Sequence, residues 1–325
     1  MILNTQSPFR DCATFWLENY IQGFVKNNTY MGTYYYPTAK HLIPYFGDIQ
    51  IIDITPSKIQ AFFNSKSSQY AQESINKMKK CLFNILQLAV DEEIIMRNPL
   101  NKRIRTNSKV PKKIKSVWNK EQYEIAFNFA LSHPDGLGPL ILMDTGISRS
   151  ELLGFTWEDI ILDKAYAGIY HSTVSMQDPV TLKYYVYTGE LKNEYRERII
   201  PFSQQAVTRL KLEYQKVIIN GKRKNLPIDE INKQFVISNK KGKAMDPHNW
   251  SNRNFKRFMN DLTEEHSIPK LTPHELRHTR STLWFNENID PIALCMVGGW
   301  CNLNMPRKLY IHSNIDTLKE KLHRC

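Results

Sequence analysis

Residues 271–279 read LTPHELRHT, and this stretch anchors the reading of the chain. Thr272 is a good N-cap, Pro273 suits the first helical position, and Glu275 stands three residues after the cap, which completes a capping box. A helix that starts there carries His274 and Arg277 three apart on one face, in its first turns. The aligned peptide dipoles add partial positive charge at that end. A guanidinium, an imidazole and a helix N-terminus together suit a phosphate group. Residues 274–278 also spell HELRH, the HExxH pattern of zinc peptidases. Zinc would want two neutral imidazoles with the glutamate as base, yet Arg277 lies beside the proposed metal face. TRSTLW follows instead of a further HxxGxxH, and a capped helix start disfavours a cation. The phosphate reading is the stronger, and no metal is expected.

Working outward, the chain has 325 residues, enough for two domains with separate cores, and a formal charge of +12. A basic chain of this kind favours a polyanion, most commonly nucleic acid. Composition by itself leaves DNA, RNA and an acidic membrane open. The five cysteines are odd in number and form no CxxC pair, which reads as reduced thiols rather than a disulfide framework or a cysteine zinc site. The opening MILNTQSPFRDC lacks a basic-then-apolar leader. No apolar run approaches the roughly 20 residues that span a bilayer. A cytoplasmic protein with no membrane partner is expected.

The clearest seam is NKRIRTNSKVPKKIK, residues 101–115, with seven basic residues, no acid and a proline. It reads as an exposed linker. A solvated tether is one possibility; a basic strap along a phosphate backbone, releasing counterions, is the favoured one. Its candidate DNA contacts are Lys102, Arg103, Arg105, Lys109, Lys112, Lys113 and Lys115. The division is residues 1–104 as a helical domain, 105–117 as basic linker and 118–325 as a second domain. In the first, Ile75, Met78, Leu82, Ile85 and Ala89 recur at helical spacing, and Phe15, Leu17, Tyr20, Ile21 and Phe24 suggest another helix. In the second, 121–130 and 140–144 read as helices. AGIYHS, TLKYYVYT and RERIIP between 165 and 201 read as strands of one small sheet, and helices return from 203. This is a mostly helical α+β arrangement.

Three more segments carry chemistry: TGISRSELLGFTWEDI at 145–160, LKNEYRERIIP at 191–201 and GGWCNLNMPRKLYIHSN at 298–314. With LTPHELRHT they resemble, in order, the motifs of the tyrosine recombinases, the phage-integrase family that includes the Xer proteins and Cre. That family's pattern is TGxRxxEL, a hairpin lysine, HxxR, a His or Trp, and a nucleophilic Tyr. Lys192 stands at the lysine position, His274 and Arg277 match HxxR, Trp300 stands at the His-or-Trp position, and Tyr310 matches the nucleophile. The resemblance spans nearly the whole chain, including a helical segment near 10–104 ending in RNPL. No further N-terminal arm-binding domain is apparent.

The resemblance implies an N-terminal all-α, SAM-like core-binding bundle and a C-terminal α+β, mostly helical catalytic domain with a small antiparallel sheet. It implies a DNA breaking–rejoining enzyme that performs integrase- or excisionase-type strand exchange of a mobile element through a covalent 3′-phosphotyrosine. Tyr310 would attack phosphorus, Lys192 would protonate the leaving 5′-oxygen, and His274 would manage the tyrosine proton. Arg277 would bind non-bridging oxygens, and Trp300 would donate its indole N–H and cover the site. Neither metal nor cofactor is needed. The partners implied are double-stranded DNA and other copies of the chain, a homotetramer joined through the amphipathic segment 315–322, IDTLKEKL.

One departure stands out. The family arginine follows TG by two residues; here that position is Ser148, and Arg149 comes next. One residue of shift rotates a helical side chain by about 100°. Loss of a preorganised charged donor costs on the order of 100-fold or more in rate. Arg149 as substitute, a slow enzyme, and an impaired member that acts as a sequence-specific DNA-binding protein are the three alternatives. Lys192 as an ordinary hairpin lysine, His278 as a structural residue, and Arg196 and Arg198 as backbone-phosphate or solvated groups complete the reading.

Overall fold

The protein is described from a computed structural model covering residues 3–112, 116–191, 194–287, 289–302 and 304. It divides into two compact units. One comprises Met1–Ile114 together with Met176–Tyr184, the other Lys115–Ser175 together with Tyr185–Cys325.

The first unit is helical. Its frame includes Phe9–Trp16, which runs on into the wider turn Leu17–Ile21, then Pro56–Ser67 and Gln72–Asp91. Thr55 caps the second of these, its hydroxyl accepting from the Lys58 amide at 3.3 Å, with Pro56 in the first position. The Gln72–Asp91 helix buries Ile75, Met78, Leu82, Ile85 and Ala89, the five residues whose spacing predicts the inward stripe. They meet Phe9, Phe46, Phe62 and Phe63 in one apolar core.

The basic segment after Asn101, read from the sequence as an exposed linker, has its backbone held against the first unit. Ile104 and Thr106 are buried. Two glutamine amides hold the backbone between them. Gln60 accepts from Arg105 N at 2.8 Å and donates to Arg105 O at 3.0 Å. Gln72 accepts from Ser108 N at 2.8 Å and donates to Thr106 O at 2.9 Å. Lys109 N donates to Ser67 O at 2.8 Å. Extended backbone must find partners for its amides and carbonyls, and a primary amide offers both a donor and an acceptor. The side chains of Lys102, Arg103, Arg105, Lys109 and Lys112 stay exposed. Lys113 and Lys115 lie outside the described residues.

The second unit is organised around Leu137–Thr145, whose Leu140, Ile141, Leu142 and Met143 are fully buried. A helix apolar on all sides belongs at the centre. Lys120–Ser132, Gln204–Arg223 and Pro273–Asn286 pack against it, and Lys256–His266 against Lys120–Ser132. The expected single sheet is two. Strands β1 (Ile160–Ile161), β2 (Tyr166–Ile169) and β5 (Arg198–Pro201) form one, in the order β1-β2-β5 and antiparallel. Strands β3 (His171–Gln177) and β4 (Tyr184–Glu190) form the other. The split has a visible cause. The first sheet closes over the core through Ala167, Ile169 and Ile200, whereas β4 exposes Tyr184, Tyr185, Val186 and Tyr187 in succession and so has no buried face to share. Register in the first sheet pairs Ala167 with Ile200 and Ile169 with Arg198. With Ile200 turned into the core, the two-residue period of the strand turns Arg198 to the same side. No helix among the described residues is long and apolar enough to cross a membrane.

Candidate active site

Two helix starts, built alike, set the site's geometry. Thr272 caps Pro273–Asn286: its hydroxyl accepts from Glu275 N at 3.3 Å, and the Glu275 carboxylate accepts from Thr272 N at 2.8 Å. Ser148 caps the short helix Arg149–Leu152 in the same reciprocal way, with Glu151 N donating to Ser148 Oγ at 3.4 Å and Ser148 N to Glu151 Oε2 at 2.8 Å. Glu275 also accepts from Ser116 N at 3.4 Å, so its carboxylate serves the helix start and the segment before Trp118. The two histidines of HELRH touch each other, Nε2 to Nε2 at 3.2 Å, which requires a proton on one ring nitrogen and a lone pair on the other. His274 is exposed and His278 half-buried.

The centre of the site is Glu151, 1% exposed. Its Oε1 accepts from Arg196 Nη1 at 2.8 Å and Arg198 Nη1 at 3.2 Å; its Oε2 accepts from Arg198 Nη2 at 3.2 Å. Arg277 Nη1 lies 3.6 Å from Oε2. Burial works to raise the Glu151 pKa, but Arg198, Arg277 and the Ser148 amide outweigh it and hold it at about 2. Burial draws Arg277 down to about 10, opposed by Glu151 and reinforced by Arg198 and Arg196, so it stays charged at neutral pH. Three guanidiniums thus face one carboxylate, leaving two positive charges in surplus. Among the described residues, Arg277 Nη1 and Arg196 Nε are buried without a hydrogen-bond acceptor. Charge and donors in excess of protein partners are the chemistry of an anion site.

The third wall is the C-terminal end of Pro291–Gly298. Arg198 Nε donates to Val297 O at 2.6 Å, and Arg277 Nη2 donates to Gly298 O. Carbonyls at a helix C-terminus lack intrahelical partners and carry partial negative charge, so they suit guanidinium donors. The GGW sequence is a packing requirement here. A Cβ on Gly298 would lie 2.8 Å from the Trp300 ring, and Gly299 sits at φ +62° with Arg198 Nη1 only 2.8 Å from where its Cβ would be. Trp300 in turn lies against the Arg277 guanidinium, 5.2 Å from ring centroid to carbon.

The structure therefore brings Arg277 and Trp300 together with Glu151 and the Ser148 cap. It does not bring Arg149 there. That guanidinium points to the start of another helix, donating to Ser251 Oγ at 2.9 Å and Pro247 O at 3.5 Å, and burial lowers its pKa. Lys192, Tyr310 and the segment 315–322 lie outside the described residues. The engagement of Arg196 and Arg198 with Glu151 was missed by sequence reasoning. A partial signal was available: Arg198 stands two residues before Ile200 in an extended strand, hence on the side of a buried residue, whereas Arg196 lies in the turn Glu194–Arg196 that precedes the strand.

Residues 120–316 match the model of the phage integrase family, and residues 9–67 match the phage integrase N-terminal SAM-like domain. Among curated proteins, the transposase from transposon Tn916 of Enterococcus faecalis is 27% identical over 267 residues, covering 78% of this chain and 62% of that protein. This chain thus spans about 62% of the length of that relative. A XerC-like tyrosine recombinase of Caldanaerobacter subterraneus is 23% identical, covering 81% of this chain and 68% of that protein. Among solved structures, the Tn1549 transposon integrase in complex with transposon right-end DNA superposes with a TM-score of 0.76 at 21% identity, covering 98% of this chain and 99% of that one. A lambda integrase dimer bound to a core site gives 0.62 at 16%, covering 92% and 76%. These likenesses carry the fold: a SAM-like helical domain followed by a mostly helical catalytic-type domain with small antiparallel sheets.

Proposed function

The chain belongs to the phage integrase family, and on that premise we propose that it is a site-specific DNA recombinase that breaks and rejoins the ends of a mobile element. The observation that carries this reading is the buried Glu151 with its three guanidiniums, a surplus of positive charge with unsatisfied donors beside Trp300. Phosphodiester attack gathers negative charge on the non-bridging oxygens, and fixed guanidinium forks stabilise that charge without reorganising.

In this reading Tyr310 Oη attacks phosphorus and gives its proton towards His274. The 5′-oxygen leaves with a proton from Lys192, and the 3′-phosphate stays on the tyrosine. Arg277 binds a non-bridging oxygen, and Trp300 holds Arg277 and covers the phosphate. Rejoining reverses the same steps with a new 5′-hydroxyl. The exposed Lys102, Arg103, Arg105, Lys109 and Lys112, with Lys113 and Lys115 beyond them, contact the duplex backbone, and residues 1–104, 105–117 and 118–325 act as binding domain, basic linker and catalytic domain. Four copies assemble on two sites through segment 315–322, and with DNA as partner the work is done in the cytoplasm. The Tn1549 and lambda integrases described as bound to DNA support DNA as the partner.

The test is a nicked suicide duplex drawn from the DNA flanking the protein's own gene. A denaturation-resistant protein–DNA complex that disappears in Tyr310→Phe is the expected result. One observation favours a second reading: Ser148, an uncharged helix cap, stands where the family motif has arginine. A catalytically impaired member would bind the same duplex sequence-specifically yet form no covalent complex.

A further inference from the structure

Resting on the recombinase reading, we propose that Arg196, carried on the turn Glu194–Arg196 before β5, gives the attacked phosphate the second guanidinium that Ser148 does not supply.

The position at 148 has no charge to offer. Its amide donates to the Glu151 carboxylate, and its hydroxyl oxygen accepts from Glu151 N, so it serves as a neutral cap. Arg149, the neighbour in sequence, is held by Ser251 and Pro247. The positive charge around Glu151 comes instead from elsewhere, the turn Glu194–Arg196 with β5 and the Pro273–Asn286 helix. Of Arg196 and Arg198, Arg198 is committed: Nε to Val297 O, Nη1 to Arg196 O and Glu151, Nη2 to Glu151. Its side chain is 7% exposed. Arg196 differs on both counts. It reaches Glu151 through Nη1 alone, its buried Nε has no acceptor among the described residues, and its side chain is 24% exposed.

A planar guanidinium can bind a carboxylate with one edge and a phosphate with the other, because its donors leave in fixed directions. Arg196 touches Oε1 through one nitrogen, and Arg277 Nη1, also without a hydrogen-bond acceptor among the described residues, lies nearest the opposite oxygen of the same carboxylate. The two guanidiniums bracket Glu151, and in this proposal their N–H groups without an acceptor meet one anion. Arg198 and Glu151 act as positioning residues: they hold Arg196 and Arg277 apart without touching substrate. Relocating the charge from the helix start to the turn before β5 preserves the number of guanidiniums around the phosphate while freeing position 148 to be a cap.

The experiment compares Arg196→Gln, Arg196→Lys and Arg149→Ala with the parent chain, each checked for an unchanged melting transition. Gln keeps a donor for Glu151 but removes the charge. The first readout is the rate of covalent complex on the suicide duplex. Arg196→Gln should slow it about 100-fold, Arg196→Lys should recover part of the loss, and Arg149→Ala should lose less than about tenfold. Ser148→Arg should rescue Arg196→Gln and change the parent little. The second readout is the salt dependence of binding to a mixed-sequence duplex, whose slope should fall by about 0.9 in Arg196→Gln, the loss of one phosphate contact. A parent chain that forms no covalent complex while the slope still falls in Arg196→Gln would retain this phosphate site and defeat the recombinase reading. Unchanged rate and slope in Arg196→Gln, or a loss concentrated in Arg149→Ala, overturns the proposal.

Discussion

Arg198 grips the Glu151 carboxylate with both terminal nitrogens, Nη1 3.2 Å from Oε1 and Nη2 3.2 Å from Oε2. Through its Nε it also holds Val297 O at 2.6 Å, so one side chain ties together β5, the Ser148-capped helix and the end of Pro291–Gly298. Paired, buried charges of this kind add little net stability, but removing one partner strands the others.

Glu151→Ala should therefore destabilise the second unit by about 3–5 kcal/mol, since it leaves three guanidiniums without their counter-charge. For a domain of this size that corresponds to a fall in melting temperature of roughly 10 °C. Arg198→Lys should recover little of an Arg198→Ala loss, because an ammonium cannot make the two parallel bonds. Scanning calorimetry of the three variants checks this.

Acid should act on the same carboxylate. Glu151 is held at about 2 in the folded chain against an ordinary 4.5. A lowered carboxylate pKa gives stability that is complete above the ordinary value and disappears as pH falls towards the folded one, here on the order of 3 kcal/mol. Urea titrations between about pH 6 and pH 2 should show that slope in the parent chain and a flatter one in Glu151→Gln.

The backbone at Gly299 allows no side chain. At φ +62°, with Arg198 Nη1 2.8 Å from the Cβ position, Gly299→Ala meets both a left-handed penalty of about 1–2 kcal/mol and a clash. It should lower stability by more than that penalty and loosen Arg198. Gly32→Ala is the contrast: no atom lies within 4 Å of its Cβ position and its φ is not left-handed, so it should be neutral or stabilising by up to about 1 kcal/mol. Chemical denaturation separates the two.

Gln72→Leu should free the basic segment without unfolding the first unit. It removes the bonds to Thr106 O and Ser108 N but leaves the buried face of Gln72–Asp91 intact. Tryptic cleavage at Lys109 and Lys112 should accelerate while the melting transition shifts by no more than the roughly 1–2 kcal/mol of two hydrogen bonds. Equal cleavage rates would remove the clamp from the account of this segment.

Much of the fold was legible because local rules sufficed for it. The 3.6-residue stripe from Ile75 to Ala89 marks its own inward face, and the Thr272-Pro273-Glu275 sequence marks its own helix start. The second sheet was not legible, since Tyr184–Tyr187 have strand propensity whether or not a core lies beneath them. Nor was the anchoring of residues 104–109, which depends on two distant glutamines.

For the candidate site, the one-dimensional string determined the inventory: an arginine and a histidine on a capped helix, a glycine pair before a tryptophan, and a serine where the family motif has arginine. Only the tertiary structure decided the pairing. Arg149 stands beside Ser148 in the chain, yet its guanidinium goes to Ser251, while Arg196, tens of residues away, reaches Glu151. The physical reason is that a buried carboxylate is stabilised by whichever cations the packing delivers within hydrogen-bond reach. That delivery follows from strand register and helix ends, not from proximity along the chain.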